Sequence, residues 1–305
     1  MKPISALWLV AALAAGCATA AEPLTVAKDD TTIKVSRGSK PLLEYRCASV
    51  PFKPYVSQMW TPNGIQVLRD SPHDHKHHHG LMFAIAADGT DFWSEKALNG
   101  KQLGRSLDGP TATANGAGFT QHLDWVATNG TVVLREQRSV FVHDAQEHGA
   151  TLLTWRSQLS PGPNLEVVKL TGATYFGLGA RFVQDMDQGG EFVNASGQPG
   201  DIVRAEWRLV AAKWCAYSAG VNGAPVTIVM LDNPKNPRHP ARMFTISKPF
   251  AYLSATLNLW KEPMELKRGS ELVLRYGFAV CDGRLSADRI EQLYERWLAL
   301  RGPSK

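Results

Sequence analysis

Long apolar runs are missing from this 305-residue chain once its first twenty residues are passed. A helix that spans a bilayer needs about 20 apolar residues, so no membrane-spanning segment is expected in the remainder. Cysteine is scarce: four residues, no CxxC pair, and Cys47, Cys215 and Cys281 far apart after Cys17. That pattern excludes a disulfide scaffold and a zinc knuckle; it leaves room for one bridge, whose pair the spacing does not choose. One-sided charge is lacking too. The 33 basic and 28 acidic residues, a formal +5, are scattered with no basic run or aromatic-interleaved stripe, which argues against a nucleic-acid partner. The chain has no P-loop, HExxH, GxSxG or dinucleotide-binding glycine fingerprint. Nucleotide hydrolysis, zincin proteolysis, serine esterase chemistry and nicotinamide binding therefore lose their sequence support.

What is present begins with an export signal. Lys2 supplies a short positive region, Ile4 to Ala15 a short apolar stretch, and Ala18-Thr19-Ala20 a small-residue cleavage site. Residues 1–20 are expected to be removed, leaving a periplasmic or secreted chain that starts near Ala21. Ala14 to Cys17 forms a degenerate lipoprotein box with Leu13 one place early, so the free form is expected over lipid anchoring at Cys17.

The body, 21–305, reads as one antiparallel β domain. Period-two alternation marks Thr32–Ser36 with Pro41–Tyr45, the segments 130–142 and 150–159 as a longer hairpin, and further strands at 165–170, 205–209, 225–231 and 271–280. Asn-Gly and Asp-Gly pairs at 63–64, 88–89, 99–100, 129–130, 222–223 and 282–283 punctuate them. A helix is expected over 286–300, capped by Ser286, with Ile290, Leu293, Tyr294, Trp297 and Leu298 on one face. The fold class is therefore all-β: a large antiparallel β-sandwich with one C-terminal helix.

Five of nine histidines fall in one stretch, at His73, His75, His77, His78 and His79. In an extended segment His73, His75, His77 and His79 share a face and His78 points away. His77 and His78 are then candidate general acid and base. His75 with His77 is a candidate divalent-metal pair, with Asp70 or Asp74 as an oxygen ligand or as the group that orients an imidazole. The lone His122, His143 and His148 read as surface residues. Asp91, Trp93 and Glu95 close the next strand, a combination suited to a sugar: the ring stacks on its C–H face and the carboxylates take hydroxyls. Arg181, flanked by Gly177 and Gly179, offers a guanidinium fork. The loop 232–240 carries three prolines and presents Asn236, Arg238 and His239 rigidly.

These stretches together resemble the bacterial "PmoA-like" group of unknown function. Residues 74–80, DHKHHHG, and 89–95, GTDFWSE, are similar to its DHPHHR and NGxDFWxE; FGLGAR at 176–181 resembles its GGFGLR strand. Residues 189–197, 212–220 and 233–240 resemble its GG…NSEG, WxDYSG and HPSNPRHP stretches in the same order. The resemblance implies a large β-sandwich, linked to carbohydrate catabolism by company with sugar-oxidoreductase-like and sugar-isomerase-like proteins. The matching positions are His75, His77, His78, Asp91, Trp93, Arg181, Asn236, Arg238 and His239. His79 stands where the group has Arg, Asn233 replaces a His, and Met243–Ile246 replaces a WHVR stretch. A histidine-bearing sandwich is also similar at the fold level to galactose-mutarotase-type epimerases, a supersandwich architecture.

The reading that follows is an exported carbohydrate-active protein, an enzyme using His77 and His78 for proton transfer at a sugar carbon in a lyase, epimerase or hydrolase reaction. Asp91 would orient an imidazole, Arg181 would hold a carboxylate, keto or hydroxyl oxygen, and Trp93 would stack on the ring. Glu95, Asn236, Arg238 and His239 would complete the binding site. A metal enzyme built on His75 and His77, and a non-catalytic carbohydrate-binding envelope protein, stand as the alternatives.

Overall fold

The computed structural model describes residues 22–145 and 148–300. The expected signal segment and Cys17 lie outside the described residues. Strands dominate in three antiparallel sheets of ten, eight and four strands, with one α-helix at the end. The all-β sandwich expected from the alternation is the observed architecture. No helix among the described residues is long and apolar enough to cross a membrane.

Turn chemistry sets much of the register. Asn222 and Gly223 both have positive φ and join Trp214–Val221 directly to Ala224–Asp232. Asp88 and Gly89 do the same between Ala86–Ala87 and Thr90–Asp91. Two consecutive residues at positive φ match the right-handed twist of a hairpin, which is why Asn-Gly and Asp-Gly occur there. The expected strand at 205–209 is displaced: Ala205 turns at φ 46° and the strand runs Trp207–Ala211.

The ten- and eight-stranded sheets pack through a shared apolar core. Phe83 of Leu81–Ala84 meets Trp125 of Gly116–Val126 at 6.0 Å between ring centres. Leu178, Ala180, Leu253 and Ala255 are buried in the same core. The helix Ala287–Ala299, capped by Ser286, lies on the other face of the eight-stranded sheet. Ile290, Leu293, Tyr294 and Trp297 pack there against Leu152, Trp214, Val229 and Leu231, each contributing on the order of 2 kcal/mol of apolar burial. Gly277 makes this fit possible, because a β-carbon on it would come within 2.7 Å of the Trp297 ring. The three cysteines Cys47, Cys215 and Cys281 are free and buried.

Alternation along Gly177–Arg181 leaves Gly177, Gly179 and Arg181 on the outer face of the ten-stranded sheet. Arg181 pairs with Tyr252 and Gly179 with Ser254 on the neighbouring Tyr252–Thr256, and Phe244 and Ile246 continue that face. Everything of chemical interest collects on it.

Candidate functional site on the outer face of the ten-stranded sheet

The histidine-rich stretch is a loop, not the extended segment expected. His75 N–H donates to the Pro72 carbonyl, His78 N–H to the His75 carbonyl, and Ser71 N–H to the His78 carbonyl. These turns fold the chain back on itself, so the odd-numbered histidines do not share a face. His73 is exposed. His75, His77 and His78 gather over Tyr252 and Phe250, and His79 turns inward on the other side.

The three gathered imidazoles touch one another. His75 and His78 stack at 4.7 Å, and His77 meets His78 edge-on at 4.6 Å. His78 stacks on Tyr252 at 5.3 Å, and Phe250 lies 4.7 Å from His75. The same Phe250 ring carries the Arg181 guanidinium on its face at 3.7 Å. Arg181, 1% exposed, faces two carboxylates through Nη2, Asp74 at 3.6 Å and Asp187 at 3.7 Å. Arg69 also pairs with Asp187, at 3.2 Å. The structure thus brings together His75, His77, His78 and Arg181.

Burial leaves this cluster short of partners. His78 Nδ1, Trp93 Nε1, Arg181 Nε and Nη1, and Tyr252 Oη are shielded from solvent with no hydrogen-bond partner among the described residues, whereas His75 Nδ1 lies 3.1 Å from Asp74 Oδ2. Such atoms are normally satisfied, and five in one place make this cluster the candidate site. Burial first, then the positive charge of Lys53 and the neighbouring His75, lowers the His77 pKa to about 4. Burial, the other two histidines and Arg181 lower that of His78 to about 2. Both imidazoles are therefore neutral at pH 7. His77 is half-exposed and makes ring contacts without a hydrogen bond.

His79 is the opposite case. Its Nδ1 lies 2.7 Å from Asp70 and its Nε2 2.9 Å from Glu95, beneath the stacked ring of Tyr55 at 4.1 Å. Tyr55 donates to Asp70, and Lys53 donates to Glu95 at 2.6 Å and to the Trp93 carbonyl. Burial pulls the His79 pKa down, but hydrogen bonds to Asp70 and Glu95 outweigh it and the net shift is upward. Both ring nitrogens face carboxylate oxygens, an arrangement that favours the protonated imidazole. Two cations, Lys53 and His79, balance two anions, Asp70 and Glu95.

Several expected roles are corrected. Asp91 does not orient an imidazole: its Oδ1 accepts the N–H groups of Trp93 and Ser94 and closes a turn. Asp70 holds His79 instead, as one of the two orienting aspartates expected. Glu95 is committed to Lys53 and His79 rather than open to a hydroxyl. Trp93 is fully buried, stacked on Phe176 at 5.2 Å and meeting Tyr252 and Tyr175 edge-on. It forms a floor beneath the site, not a platform. The half-exposed rings are Tyr175 and Trp207, joined through Phe244 at 5.7 and 5.8 Å.

The proline loop belongs elsewhere. Asn236 donates to Asp232 and to the Arg275 carbonyl, and accepts from Arg275 N–H. His239 Nδ1 lies 2.7 Å from buried Asp232, and Arg238 donates to the Leu257, Glu262 and Pro263 carbonyls. Leu257 follows the end of Tyr252–Thr256 opposite to Tyr252, about 17 Å away at strand spacing. Asn236, Arg238 and His239 are braces, not members of the histidine site. The candidate metal pair, His75 and His77, stands in ring contact. Their ring centres are 5.9 Å apart and tilted by 56°, and no group of three or more ligating side chains among the described residues is placed to hold an ion. His143, read as a surface residue, is buried with its Nε2 2.7 Å from Thr154.

Sequence reasoning missed Tyr252, Phe250, Tyr175, Lys53 and Asp187. Lys53, Tyr175 and Tyr252 lie in unremarkable stretches, and only strand register carries Tyr252 to Arg181.

Several solved structures share parts of this architecture. A β-arabinopyranosidase is 12% identical, with a TM-score of 0.45, covering 84% of this chain and 40% of its own. An α-galactosidase from Lactobacillus brevis is 10% identical at 0.43, covering 88% and 40%. A GH36 α-galactosidase from Geobacillus stearothermophilus is 10% identical at 0.46, covering 85% and 41%. The chain thus spans well under half the length of these enzymes. No curated protein sequence matches it. The family model that does match covers residues 32–295, nearly all of the described chain, and the chain belongs to that family, described as a family of unknown function (DUF6807).

Proposed function

We propose that this is an exported carbohydrate-active enzyme whose ligand is taken up on the outer face of the ten-stranded sheet, beside the His75–His78 loop. The observation that carries this reading is the set of five buried, unpartnered polar atoms on His78, Trp93, Arg181 and Tyr252. Buried polar groups without partners cost free energy that a polyol with several hydroxyls would recover. The adjoining Tyr175 and Trp207 rings supply the apolar surface that a sugar's C–H face needs.

His77 is the proton acceptor in this reading. It is neutral, half-exposed and free of hydrogen bonds, so its imidazole is ready to accept a proton from a sugar carbon or hydroxyl. His78, beneath it and against Tyr252, orients the bound group. The reaction class is proton transfer at a sugar carbon, as in a lyase, an epimerase or the hydrolysis of an oxidised glycoside.

Turnover on a panel of neutral sugars, sugar acids and keto-sugars tests this, with His77→Asn as the control variant. A loss of about 10² or more in kcat/KM in the variant is expected. Equal turnover by both proteins would remove His77 from the chemistry, and binding without turnover would leave a carbohydrate-binding protein. Export is tested by intact mass: a chain starting near Ala21 is expected, and a retained N-terminus or a diacylglycerol on Cys17 would overturn the free periplasmic form.

A further inference from the structure

The unpartnered atoms of the site have a chemical bias. Arg181 Nε and Nη1 and Trp93 Nε1 are fixed donors, and Tyr252 Oη and the His78 Nδ1 atom serve as either. No buried carboxylate oxygen or amide carbonyl in this cluster stands unpartnered beside them; the two unpartnered carboxylate oxygens in the described molecule belong to Asp124 and Asp282, away from it. Asp74 and Asp187 both face Nη2 of Arg181, so Nε and Nη1 keep three N–H bonds uncommitted. A neutral sugar brings a donor with every hydroxyl acceptor. The fixed donors of Arg181 and Trp93 are best matched by a ligand group that brings acceptors without donors.

Access is governed by the loop from Arg69 to Gly80. Arg69 N–H donates to the Arg181 carbonyl at 2.9 Å, and Arg181 N–H donates to the Gly80 carbonyl at 2.8 Å. Both feet of the loop therefore stand on Arg181 itself. Within the loop the turn bonds are local, and Ser71 Oγ donates to the Lys76 carbonyl. Its tip meets the sheet through His75 on Phe250 and Asp74 on Arg181, with His78 on Tyr252 and His79 bonded to Glu95 closer to its foot.

We infer that the ligand of this site is a carboxylate-bearing sugar, of the uronate type, whose carboxylate is taken by Arg181 and Tyr252 beneath the loop Arg69–Gly80. This rests on the carbohydrate reading above and adds the class of sugar. An anion in this place displaces the weak contact between Arg181 and Asp74, which joins two groups 3.6 Å apart. That exchange loosens the loop tip as the ligand enters. Lys53 and Arg69 are already paired with Glu95 and Asp187, which leaves Arg181, held only at 3.6 and 3.7 Å by Asp74 and Asp187, as the cation open to a closer anion; an incoming carboxylate would make protonation of His77 easier.

The test uses calorimetric binding of matched methyl glycosides to the full mature chain: glucuronate with glucose, galacturonate with galactose, mannuronate with mannose. At least one uronate is expected to bind ten times tighter or more than its neutral partner. Arg181→Gln should weaken that uronate about a hundredfold and Tyr252→Phe about tenfold, in each case by more than the variant weakens the neutral partner. Tyr252→Phe keeps the ring packing and carries the test if Arg181→Gln fails to fold. Neutral partners binding as tightly as the acids would overturn the uronate inference while leaving the carbohydrate reading standing. Acetate binding as tightly as the uronates would reduce the site to a bare carboxylate site and also overturn it. If no member of any pair binds, both readings fall together.

Discussion

Two buried polar clusters sit in this molecule, and they are finished to different degrees. Between the sheets, Arg138 donates to Glu136, Gln102 and the Pro54 carbonyl. Glu136 also accepts from Trp125 and Ser157, and Ser157 accepts from Trp155. Arg138 lies over the Trp155 ring at 4.9 Å. Every named polar group there has a partner, so the network fixes the packing of the sheets and has nothing left for a ligand. On the outer face of the ten-stranded sheet, Arg181 is as deeply buried and equally stacked on an aromatic ring, yet two of its nitrogens have no partner. Two buried arginines with the same kind of aromatic neighbour therefore differ in how many of their N–H groups are spoken for. The difference lies in whether the surrounding hydrogen bonds close.

Arg138→Met should produce the largest stability loss of any change considered. It strands Glu136 as an uncompensated buried charge and should cost about 3–5 kcal/mol, read from urea denaturation. A loss below about 1 kcal/mol would erase the contrast with Arg181. His78→Asn should do the reverse. It keeps a polar group in the same space and should cost little stability, while lowering turnover by about 10². An inactive variant that also melts far below the parent would place His78 with the scaffold instead.

The imidazoles split the pH dependence in two. His77 and His78 have folded pKa values below the ordinary histidine value of 6.5. The unfolded chain therefore takes up protons there before the folded one does. Stability from these groups is present above about pH 6.5 and falls as pH drops toward 4 and then 2. Buried His143, lowered to about 4 by burial and then Arg275, adds to the same acid limb. His79 has a raised pKa, so its contribution is full below 6.5 and is lost as pH rises through the folded value. A stability maximum near pH 6.5 is expected, and His79→Arg should flatten its alkaline side. A profile with no alkaline decline in the parent would show that His79 is not held protonated.

His239→Gln should have the smallest effect. It removes one hydrogen bond to Asp232, worth about 1 kcal/mol, and should leave carbohydrate binding unchanged. A change in ligand affinity would bring the proline loop back into the site.

The reach of the sequence is uneven for physical reasons. The hairpin Val132–His143 with Ala150–Pro161, the turns at 88–89 and 222–223, and the helix with its Ser286 cap were legible, because alternation, positive φ and 3.6-residue spacing are local properties. Lys101–Thr113 was not: nearly all its positions are exposed, so it has no apolar face to alternate. In the site, His77, His78 and Arg181 were legible by residue type and clustering. The roles of Asp91, Trp93, Glu95 and the proline loop were misassigned, because each depends on which atoms the fold has already paired.

The sequence by itself determined a β-rich sandwich with a terminal helix and a concentration of imidazoles before one strand. Those follow from local patterning and composition. Only the tertiary structure decided that His79 is a charged brace and His77 a neutral, open group two residues away. Local sequence cannot separate them, because burial and the distant carboxylates of Asp70 and Glu95 set the charge of each ring. Tyr252 was likewise brought to Arg181 by strand register alone, across seventy residues of chain that carry no local record of the pairing.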